Sequence, residues 1–148
     1  MRIRGGFSAI HEVGFCETKG DDEGGRVPSV LLACRDQLDE YFKGVRQSFC
    51  LNLEPLGTDF LKLVWSELLQ IPYGQTRSYG EIAARIGNGK AFRAVGLANG
   101  RNPIEVIIPC HRVVGKRGEL VGYGGGLWRK QWLLDHERRA SRLACFQE

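Results

Sequence analysis

A cysteine, a histidine and an arginine follow one another at Cys110, His111 and Arg112. A thiol is a strong nucleophile only as its thiolate, and with a pKa of about 8.5 only a small part of a free thiol is ionised near neutral pH. An imidazole that accepts the proton, or a nearby positive charge, raises the fraction of thiolate. The run indicates a reactive cysteine. A buried structural cysteine is the alternative, because free cysteine is often part of a core.

The chain around Cys110 predicts the elements that present it. Residues 107–109 read as an apolar strand that stops at a proline, and Val113–Val114 and Leu120–Val121 flank the glycines at 115 and 118 as a hairpin. Residues 122–126 are rich in glycine, which serves either as a turn or as a place where the backbone comes close to a flat ligand.

Three helices are predicted before the cysteine. Thr58 can cap the first, Ser78 caps a second over residues 79–86, and a third runs from about residue 90 to residue 99. The first has the apolar face Phe60, Leu61, Val64, Trp65, Leu68 and Leu69, and the third has Phe92, Val95 and Leu97 inward with Lys90, Arg93 and Arg101 outward. The last two helices, joined by a glycine turn, resemble a helix-turn-helix, although any small helical hairpin has this pattern.

A last helix is predicted from Leu127 to about Arg142, and it ends in the basic cluster Arg138, Arg139 and Arg142. Positive residues at a helix C-terminus also suit the helix dipole. Towards the N-terminus, residues 7–15 read as a strand or two, residues 17–25 as a loop and residues 28–43 as a helix opened by Pro28. Phe49, Leu51 and Leu53 alternate as a strand.

Composition limits the classes of protein. The chain has 148 residues and 43% hydrophobic residues, enough for one domain or two small ones with a real core. Residues 1–57 hold seven Lys/Arg and nine Asp/Glu, whereas residues 58–148 hold fourteen and eight. This asymmetry suits a polyanion partner for the second part, or a solvated basic surface without one. No apolar run predicts a membrane span or a signal peptide.

Five cysteines without paired spacing argue against a disulfide framework and favour a reducing compartment. Cys16 with His11, or Cys145 with His136, could be imagined as zinc ligands, but neither pair resembles a zinc knuckle. We therefore expect no metal.

Residues 56–137 resemble the methylated-DNA-protein-cysteine methyltransferases, a family of direct-reversal DNA repair proteins. The resemblance runs through the segments Ile71-Pro72-Tyr73-Gly74, Thr76-Arg77-Ser78-Tyr79, Arg93-Ala94-Val95-Gly96, Asn99-Gly100-Arg101-Asn102-Pro103, Ile108-Pro109-Cys110-His111-Arg112-Val113, Gly122-Tyr123, Gly125-Gly126-Leu127 and Leu133-Leu134 with His136-Glu137.

The resemblance implies that Cys110 takes a methyl or larger alkyl group from the exocyclic oxygen of guanine in DNA, and less well of thymine, and keeps it irreversibly as a thioether. His111 and Glu137 would withdraw the thiol proton through a bridging water. Asn102 would be the hinge that ties the helix pair to the active-site strand. Tyr79 would donate a proton towards the guanine ring. Each molecule would act once, without a cofactor.

The target oxygen faces the base-pair edge, so the base must be rotated out of the duplex. The resemblance implies that Arg93 fills the gap and that the duplex is contacted through its minor groove by Arg93, Tyr79, Gly80, Asn88, Ala91, Ala94 and Lys116. Pro109, Tyr123, Gly124 and Gly125 would form the base pocket, under a lid over residues 121–126. Glu105 lies at the pocket rim, at a position that varies in the family, so the preferred alkyl size stays open.

The implied fold is an α/β N-terminal domain over residues 1–57 and a mainly α winged helix-turn-helix domain over residues 58–148 that carries the active site. The family's N-terminal domain has a ribonuclease-H-like sheet, and here about one hairpin of that sheet is missing. We expect a monomer whose partner is double-stranded DNA with alkylated guanine, no membrane, and a cytoplasmic location associated with the nucleoid in a prokaryote.

Three alternatives remain. A damage-binding winged-helix relative without transfer activity would have another residue in place of the nucleophile, which disfavours it. A cysteine hydrolase using Cys110, His111 and Glu137 would need an oxyanion hole and a histidine distant in sequence. A winged-helix regulator would bind duplex DNA with no covalent change to itself.

Overall fold

Two short strands near the N-terminus form an antiparallel hairpin. In the computed structural model, which describes residues 1–17 and 25–145, β1 (Arg2–Gly5) pairs with β2 (Ile10–Gly14). The predicted start of the strand at Phe7 was wrong. The amide of Gly6 donates to the carbonyl of Ala9, so Phe7 lies at the tip of a turn and is 90% exposed. Residues 18–24 of the predicted loop lie outside the described residues.

Strand β2 joins the N-terminal part to the segment that leads to Cys110. Its Ile10 forms a parallel bridge to Leu53, and its Val13 forms a parallel bridge to Ile104. The amide of Val13 donates to the carbonyl of Pro103 at 2.9 Å. The predicted strand over residues 49–53 was wrong beyond this bridge. In the part of the chain that the structure describes, its backbone pairs only with Ile10, through Asn52 and Glu54. β2 therefore holds the active-site segment in place from the N-terminal side.

The predicted helices are confirmed. α1 (Ser29–Phe42) follows Pro28 and α2 (Asp59–Leu68) is capped by Thr58. α3 (Tyr79–Arg85) begins with a capping box: the Ser78 side chain accepts from the Glu81 amide, and the Glu81 carboxylate accepts from the Ser78 amide at 2.6 Å. α4 (Phe92–Gly100) and α5 (Leu127–Cys145) complete the helices of the described residues.

Some apolar residues of α2 and α4 that the sequence predicted to face inward are exposed. Val64, Trp65 and Leu68 of α2 are buried, whereas Phe60 and Leu69 are exposed. On α4 the buried residues are Val95, Ala98 and Asn99, and the predicted inward residues Phe92 and Leu97 are exposed. The indole of Trp65 donates to the carbonyl of Ala98 at 2.9 Å, which fixes α2 against α4.

The predicted hairpin after Cys110 was also wrong. β4 (Val113–Val114) pairs in parallel with β3 (Arg77–Ser78), the two residues that precede α3. The loop that follows is closed by the Gly115 amide, which donates to the carbonyl of Glu119 at 2.8 Å. Val114 is therefore joined to the start of α3. The mixed α/β organisation predicted from the sequence is confirmed, and in the described ranges no helix has the length and apolar character to cross a membrane.

Candidate active site

A tight turn, and not a strand, delivers Cys110. The amide of Ile108 donates to the carbonyl of Ile104 at 3.0 Å, and Cys110 begins a short 3₁₀ helix, Cys110–Arg112. Val106, inside the turn, has a φ of 72°, which is unusual for a β-branched residue. The predicted strand was wrong because a continuous buried apolar run can be a strand or a buried turn, and periodicity does not separate the two.

The side chain of Asn102 closes this turn. Its Oδ1 accepts from the amide of Ile104 at 3.0 Å, and its Nδ2 donates to the carbonyl of Ile108 at 2.8 Å. The same Nδ2 lies 3.1 Å from the Sγ atom of Cys110. Asn102 therefore shapes the backbone of the turn and also donates to the sulfur. This arrangement stabilises negative charge on the sulfur when the thiol loses its proton.

The Cys110 thiol is protonated in its resting state. Its residue is 3% exposed, and burial raises the pKa of the thiol to about 11. The hydrogen bond from Asn102 lowers this pKa, the charge of Glu105 raises it and the charge of Lys130 lowers it. Burial is the largest of these effects. A reaction at this sulfur therefore needs a group that removes the proton.

His111 and Glu137 form a fully buried pair beside the cysteine. The Nε2 atom of His111 lies 2.7 Å from Oε1 of Glu137. Burial lowers the pKa of His111 below its ordinary value of 6.5, against the opposing effect of Glu137, so the imidazole is neutral. A carboxylate only accepts, and the hydrogen-bond network thus assigns the proton to Nε2. Nδ1, which has no hydrogen-bond partner among the described residues, is the ring atom able to accept a proton.

Glu137 is the acceptor at the centre of a larger cluster. Arg112 donates from Nε to Oε2 at 2.9 Å and from Nη2 to Oε1 at 2.9 Å, and the amide of Gly74 donates to Oε2 at 2.9 Å. Burial raises the pKa of Glu137, but the hydrogen bonds and charges of His111 and Arg112 lower it to about 2. Since His111 is neutral, Arg112 is the counter-ion. The carboxylate stays charged and correctly oriented.

Two side chains of this cluster were not among the site residues predicted from the sequence. Arg112 follows the cysteine and histidine directly, and that adjacency was the signal available. The other is Tyr41 of α1, whose hydroxyl donates to Oε1 of Glu137 at 2.8 Å. Tyr41 lies 96 residues before Glu137, and in the sequence it is one of several apolar residues at helical spacing.

Tyr79 and Lys130 both contact the segment predicted to be a lid. The hydroxyl of Tyr79 donates to the carbonyl of Val121 at 2.6 Å. Nζ of Lys130 lies 3.3 Å from that carbonyl and 3.2 Å from the carbonyl of Gly122. Lys130, which the sequence prediction did not include, is fully buried, and burial lowers its pKa to about 8. The Tyr79 hydroxyl is therefore engaged by the backbone of this segment.

The predicted base-pocket residues are divided between two places. Pro109 lines a cavity of about 230 Å³ together with Tyr73 and Arg112, on the side of the cluster that faces residues 47–53. Tyr123, Gly124 and Gly125 do not line this cavity. A Cβ atom on Gly125 would lie 2.9 Å from the ring of Tyr123 and 3.0 Å from the ring of Phe15. Internal packing alone thus requires glycine at position 125.

The predicted DNA-contacting residues lie on or near the surface of α3, α4 and the loops beside them. The exposed ones are Gly80, Asn88, Arg93, Ala94 and Lys116, whereas Tyr79 and Ala91 are half-buried. Arg93 lies at the start of α4, with its guanidinium 5.8 Å from the ring centroid of Phe92. Small and basic residues are thus exposed on this face.

Of the two cysteine and histidine pairs considered for zinc, only Cys16 with His11 has both side chains within the described residues. Within residues 1–17 and 25–145, no group of three or more potential ligands is close enough to hold an ion. His11 lies 3.7 Å from Glu54. The side chain of Cys145 lies outside the described residues.

Comparison with known proteins gives a consistent picture. The family model described as 6-O-methylguanine DNA methyltransferase, DNA binding domain, matches residues 59–139. The methylated-DNA–protein-cysteine methyltransferase of Mycobacterium tuberculosis is 56% identical over 111 residues, which are 75% of this chain and 67% of that protein. The protein of the same name from Methanosarcina acetivorans is 59% identical over 101 residues, 68% of this chain and 65% of its own length. The chain thus matches about two thirds of the length of these relatives.

Solved structures agree with the sequence comparison. Mycobacterium tuberculosis OGT in complex with DNA superposes with a TM-score of 0.84 at 47% identity, over 93% of this chain and 86% of that one. Mycobacterium tuberculosis O6-methylguanine methyltransferase superposes with a TM-score of 0.79, over 90% of this chain and 82% of that one. The match of the family model to more than half of the chain, around Cys110 and Glu137, shows that the chain belongs to the 6-O-methylguanine DNA methyltransferase family.

Proposed function

We propose that this chain repairs DNA by transferring an alkyl group from the exocyclic oxygen of guanine to Sγ of Cys110. One arrangement carries the proposal: a buried thiol that accepts a hydrogen bond from Asn102, next to a neutral histidine held by Glu137. This is the arrangement of an activated nucleophile, in which a base is oriented by a third group. A single transfer consumes the protein, because the thioether has no leaving group.

The proton path follows from the tautomer of His111. Nε2 donates to Glu137, so Nδ1 accepts the thiol proton through a bridging water. The imidazolium that forms is stabilised by the carboxylate, which also accepts from Arg112, the hydroxyl of Tyr41 and the amide of Gly74. Asn102 donates to the thiolate. Together these contacts offset the burial that keeps the resting thiol protonated.

The displacement then breaks one bond and forms another. The thiolate sulfur attacks the alkyl carbon, a carbon–sulfur bond forms and the carbon–oxygen bond breaks, with its electron pair left on the guanine oxygen. The guanine anion is neutralised by a proton from Tyr79, which is replaced from solvent as the His111 proton is lost. In the resting structure the Tyr79 hydroxyl is bonded to the carbonyl of Val121. We infer that the arriving base replaces this carbonyl as the acceptor.

We propose that α3 and α4 act as the helix-turn-helix, within a C-terminal domain over residues 58–148. Arg93 occupies the stack after the base has rotated out, and the exposed residues of this face follow the minor groove, together with Lys116. An always charged planar group suits both stacking and nearby phosphates. Pro109, Tyr123, Gly124 and Gly125 are proposed as the base pocket. A duplex-DNA substrate implies action in the cytoplasm, at the nucleoid of a prokaryote.

The other candidate functions have less support. A damage-binding protein without transfer does not need a cysteine at position 110. A hydrolase needs backbone or side-chain donors around an oxyanion, whereas Asn102 donates here to the sulfur itself. A regulator leaves the contact of Asn102 with the Cys110 sulfur without a role. The methyltransferase activity is therefore the proposal that uses all of these residues.

The mass of the intact protein tests the proposal. The full chain is incubated with a duplex oligonucleotide that contains O6-methylguanine, and we expect one added methyl group, located on Cys110 by peptide mapping. The matched variant Cys110→Ala should bind the same duplex and gain no mass. If the unmodified protein binds tightly and its mass does not change, the transfer reaction is refuted and the damage-binding function is favoured.

A further inference from the structure

Tyr41 connects the N-terminal helix α1 to the proton-accepting pair. Its side chain is fully buried, and its hydroxyl donates to Oε1 of Glu137 at 2.8 Å. Its carbonyl lies 2.7 Å from Nε2 of His136, the residue before Glu137. Two contacts on consecutive residues of α5 thus fix the distance between α1 and α5 at the carboxylate.

The oxygen that Tyr41 contacts is the one that His111 uses. Oε1 accepts from the Tyr41 hydroxyl at 2.8 Å and from Nη2 of Arg112 at 2.9 Å, and it faces Nε2 of His111 at 2.7 Å. Oε2 accepts from Nε of Arg112 and from the amide of Gly74. A hydrogen bond to an ionised acceptor is among the stronger ones in proteins. Each donor to Oε1 draws electron density away from the other, so the strength of the Tyr41 bond affects the basicity of His111.

We propose that Tyr41 is a positioning residue for alkyl transfer, through which the N-terminal segment orients Glu137 and sets the basicity of His111. The inference rests on the proposed function and extends it to a part of the chain outside residues 59–139, which match the family model. It assigns the N-terminal helix a part in the chemistry in addition to its part in the core.

The charged and titratable groups around His111 define what the substitution changes. They are Glu137 and Lys130 from α5, Arg112 from the 3₁₀ helix and the neighbouring Cys110. Tyr41 from α1 and Tyr73 from the segment after α2 act on Glu137, the partner of His111. Among the described residues, Tyr41 and Arg112 are the two that share Oε1 of Glu137 with His111. Removing the Tyr41 hydroxyl leaves Oε1 more available to His111, which favours the imidazolium and raises the pH at which His111 loses its proton.

The test measures the single-turnover rate of methyl transfer against pH for the full chain and for Tyr41→Phe. Since only neutral His111 accepts the thiol proton, we expect the acidic limb of the profile to move to higher pH by about 0.5–1 unit, with one methyl group still transferred per molecule. Tyr73→Phe is the matched control. It also removes a buried hydroxyl, but one that has no hydrogen-bond partner among the described residues, so its profile should not move.

A second substitution should shift the acidic limb of the pH–rate profile in the opposite direction. Fluorotyrosine at position 41 is a stronger donor, and it should move the acidic limb to lower pH with little change in packing. An acidic limb that stays in place in both variants would overturn the inference and leave Tyr41 a structural residue.

The titration of His111, followed by nitrogen NMR, separates this inference from the proposed function. If the unmodified protein transfers no methyl group, the proposed function is refuted, while the His111 titration still measures the effect of Tyr41. A His111 pKa raised in Tyr41→Phe supports the positioning role, and an unchanged one refutes it.

Discussion

At the scale of single residues, two charges act on the Cys110 sulfur in opposite directions. Glu105 raises the pKa of the thiol and Lys130 lowers it. Glu105 is half-buried, and its Oε2 accepts from the amide of Phe15 at 3.0 Å, which holds the carboxylate beside the active-site turn. Each charge can be removed by a substitution to a neutral side chain of similar size, which separates its effect on the thiol from its effect on packing.

We expect Glu105→Gln to accelerate methyl transfer at neutral pH by roughly two- to five-fold, because it removes a negative charge that opposes the thiolate. Glutamine keeps an oxygen that accepts from the amide of Phe15, so the backbone contact is retained. The measurement is the single-turnover rate with a methylated duplex. Glu54→Gln, which removes a charge that faces His11, is the control and should leave the rate unchanged. A slower Glu105→Gln protein would contradict the electrostatic argument.

Lys130→Met should have the opposite effect. The substitution removes the buried positive charge that favours the thiolate, and we expect the rate at neutral pH to fall about tenfold and to recover at high pH, where hydroxide removes the proton. The exposed Lys62→Met on α2 is the control. If the Lys130→Met rate is higher at every pH, then the main role of Lys130 is to hold the carbonyls of Val121 and Gly122, and the charge argument fails.

At the scale of elements, α4 presents Arg93 to the proposed DNA. Rotating a base out of a duplex costs a few kcal/mol, and a side chain in the gap offsets part of this cost. We expect Arg93→Ala to slow repair of duplex DNA about tenfold and to leave the reaction with free O6-methylguanine unchanged, since the free base has no stack to fill. Arg35→Ala, on the exposed side of α1, is the charge-matched control. Equal slowing with the two substrates would remove Arg93 from this role.

Local signals were sufficient to predict the helices. Pro28, Thr58 and Ser78 each begin a helix where the sequence predicted one, because an N-cap or an N-terminal proline acts within one turn of the chain. Local signals were not sufficient to predict which residues of α4 are buried, and Phe92 and Leu97, predicted to face inward, are exposed. On a helix of nine residues, tertiary contacts such as that of Trp65 with Ala98 decide which apolar residues face inward.

The active-site turn and the cluster around Glu137 needed information that local patterns do not contain. The apolar residues before Cys110 were predicted as a strand, but Asn102 closes them into a turn through three backbone and sulfur contacts. Family resemblance supplied Asn102, His111 and Glu137. Neither resemblance nor periodicity supplied Tyr41, because its contact with Glu137 joins parts of the chain that are far apart in sequence.

At the scale of the whole molecule, the Glu137 cluster joins α1, α5, the active-site turn and the segment after α2. The pKa of Glu137 is lowered from 4.5 to about 2 in the folded state, so the unfolded chain binds the proton more tightly. The resulting stabilisation is fully present above pH 4.5 and is lost as the pH falls towards 2. It amounts to about 3 kcal/mol. His111, whose pKa is also lowered, adds a loss of stability that begins below pH 6.5.

We therefore expect the free energy of unfolding to fall from about neutral pH downward, most steeply below pH 4.5, when it is measured by urea denaturation over a pH series. Glu137→Gln should cost about 3–5 kcal/mol at neutral pH, since Arg112 then stays buried without a counter-ion, and should flatten the curve below pH 4.5. Glu67→Gln, which breaks the partly exposed pair with Arg85, should cost less than about 1 kcal/mol and keep the wild-type pH dependence. A Glu137→Gln curve that keeps its acid limb would mean that other carboxylates control acid unfolding, and that the cluster serves the reaction without holding the molecule together.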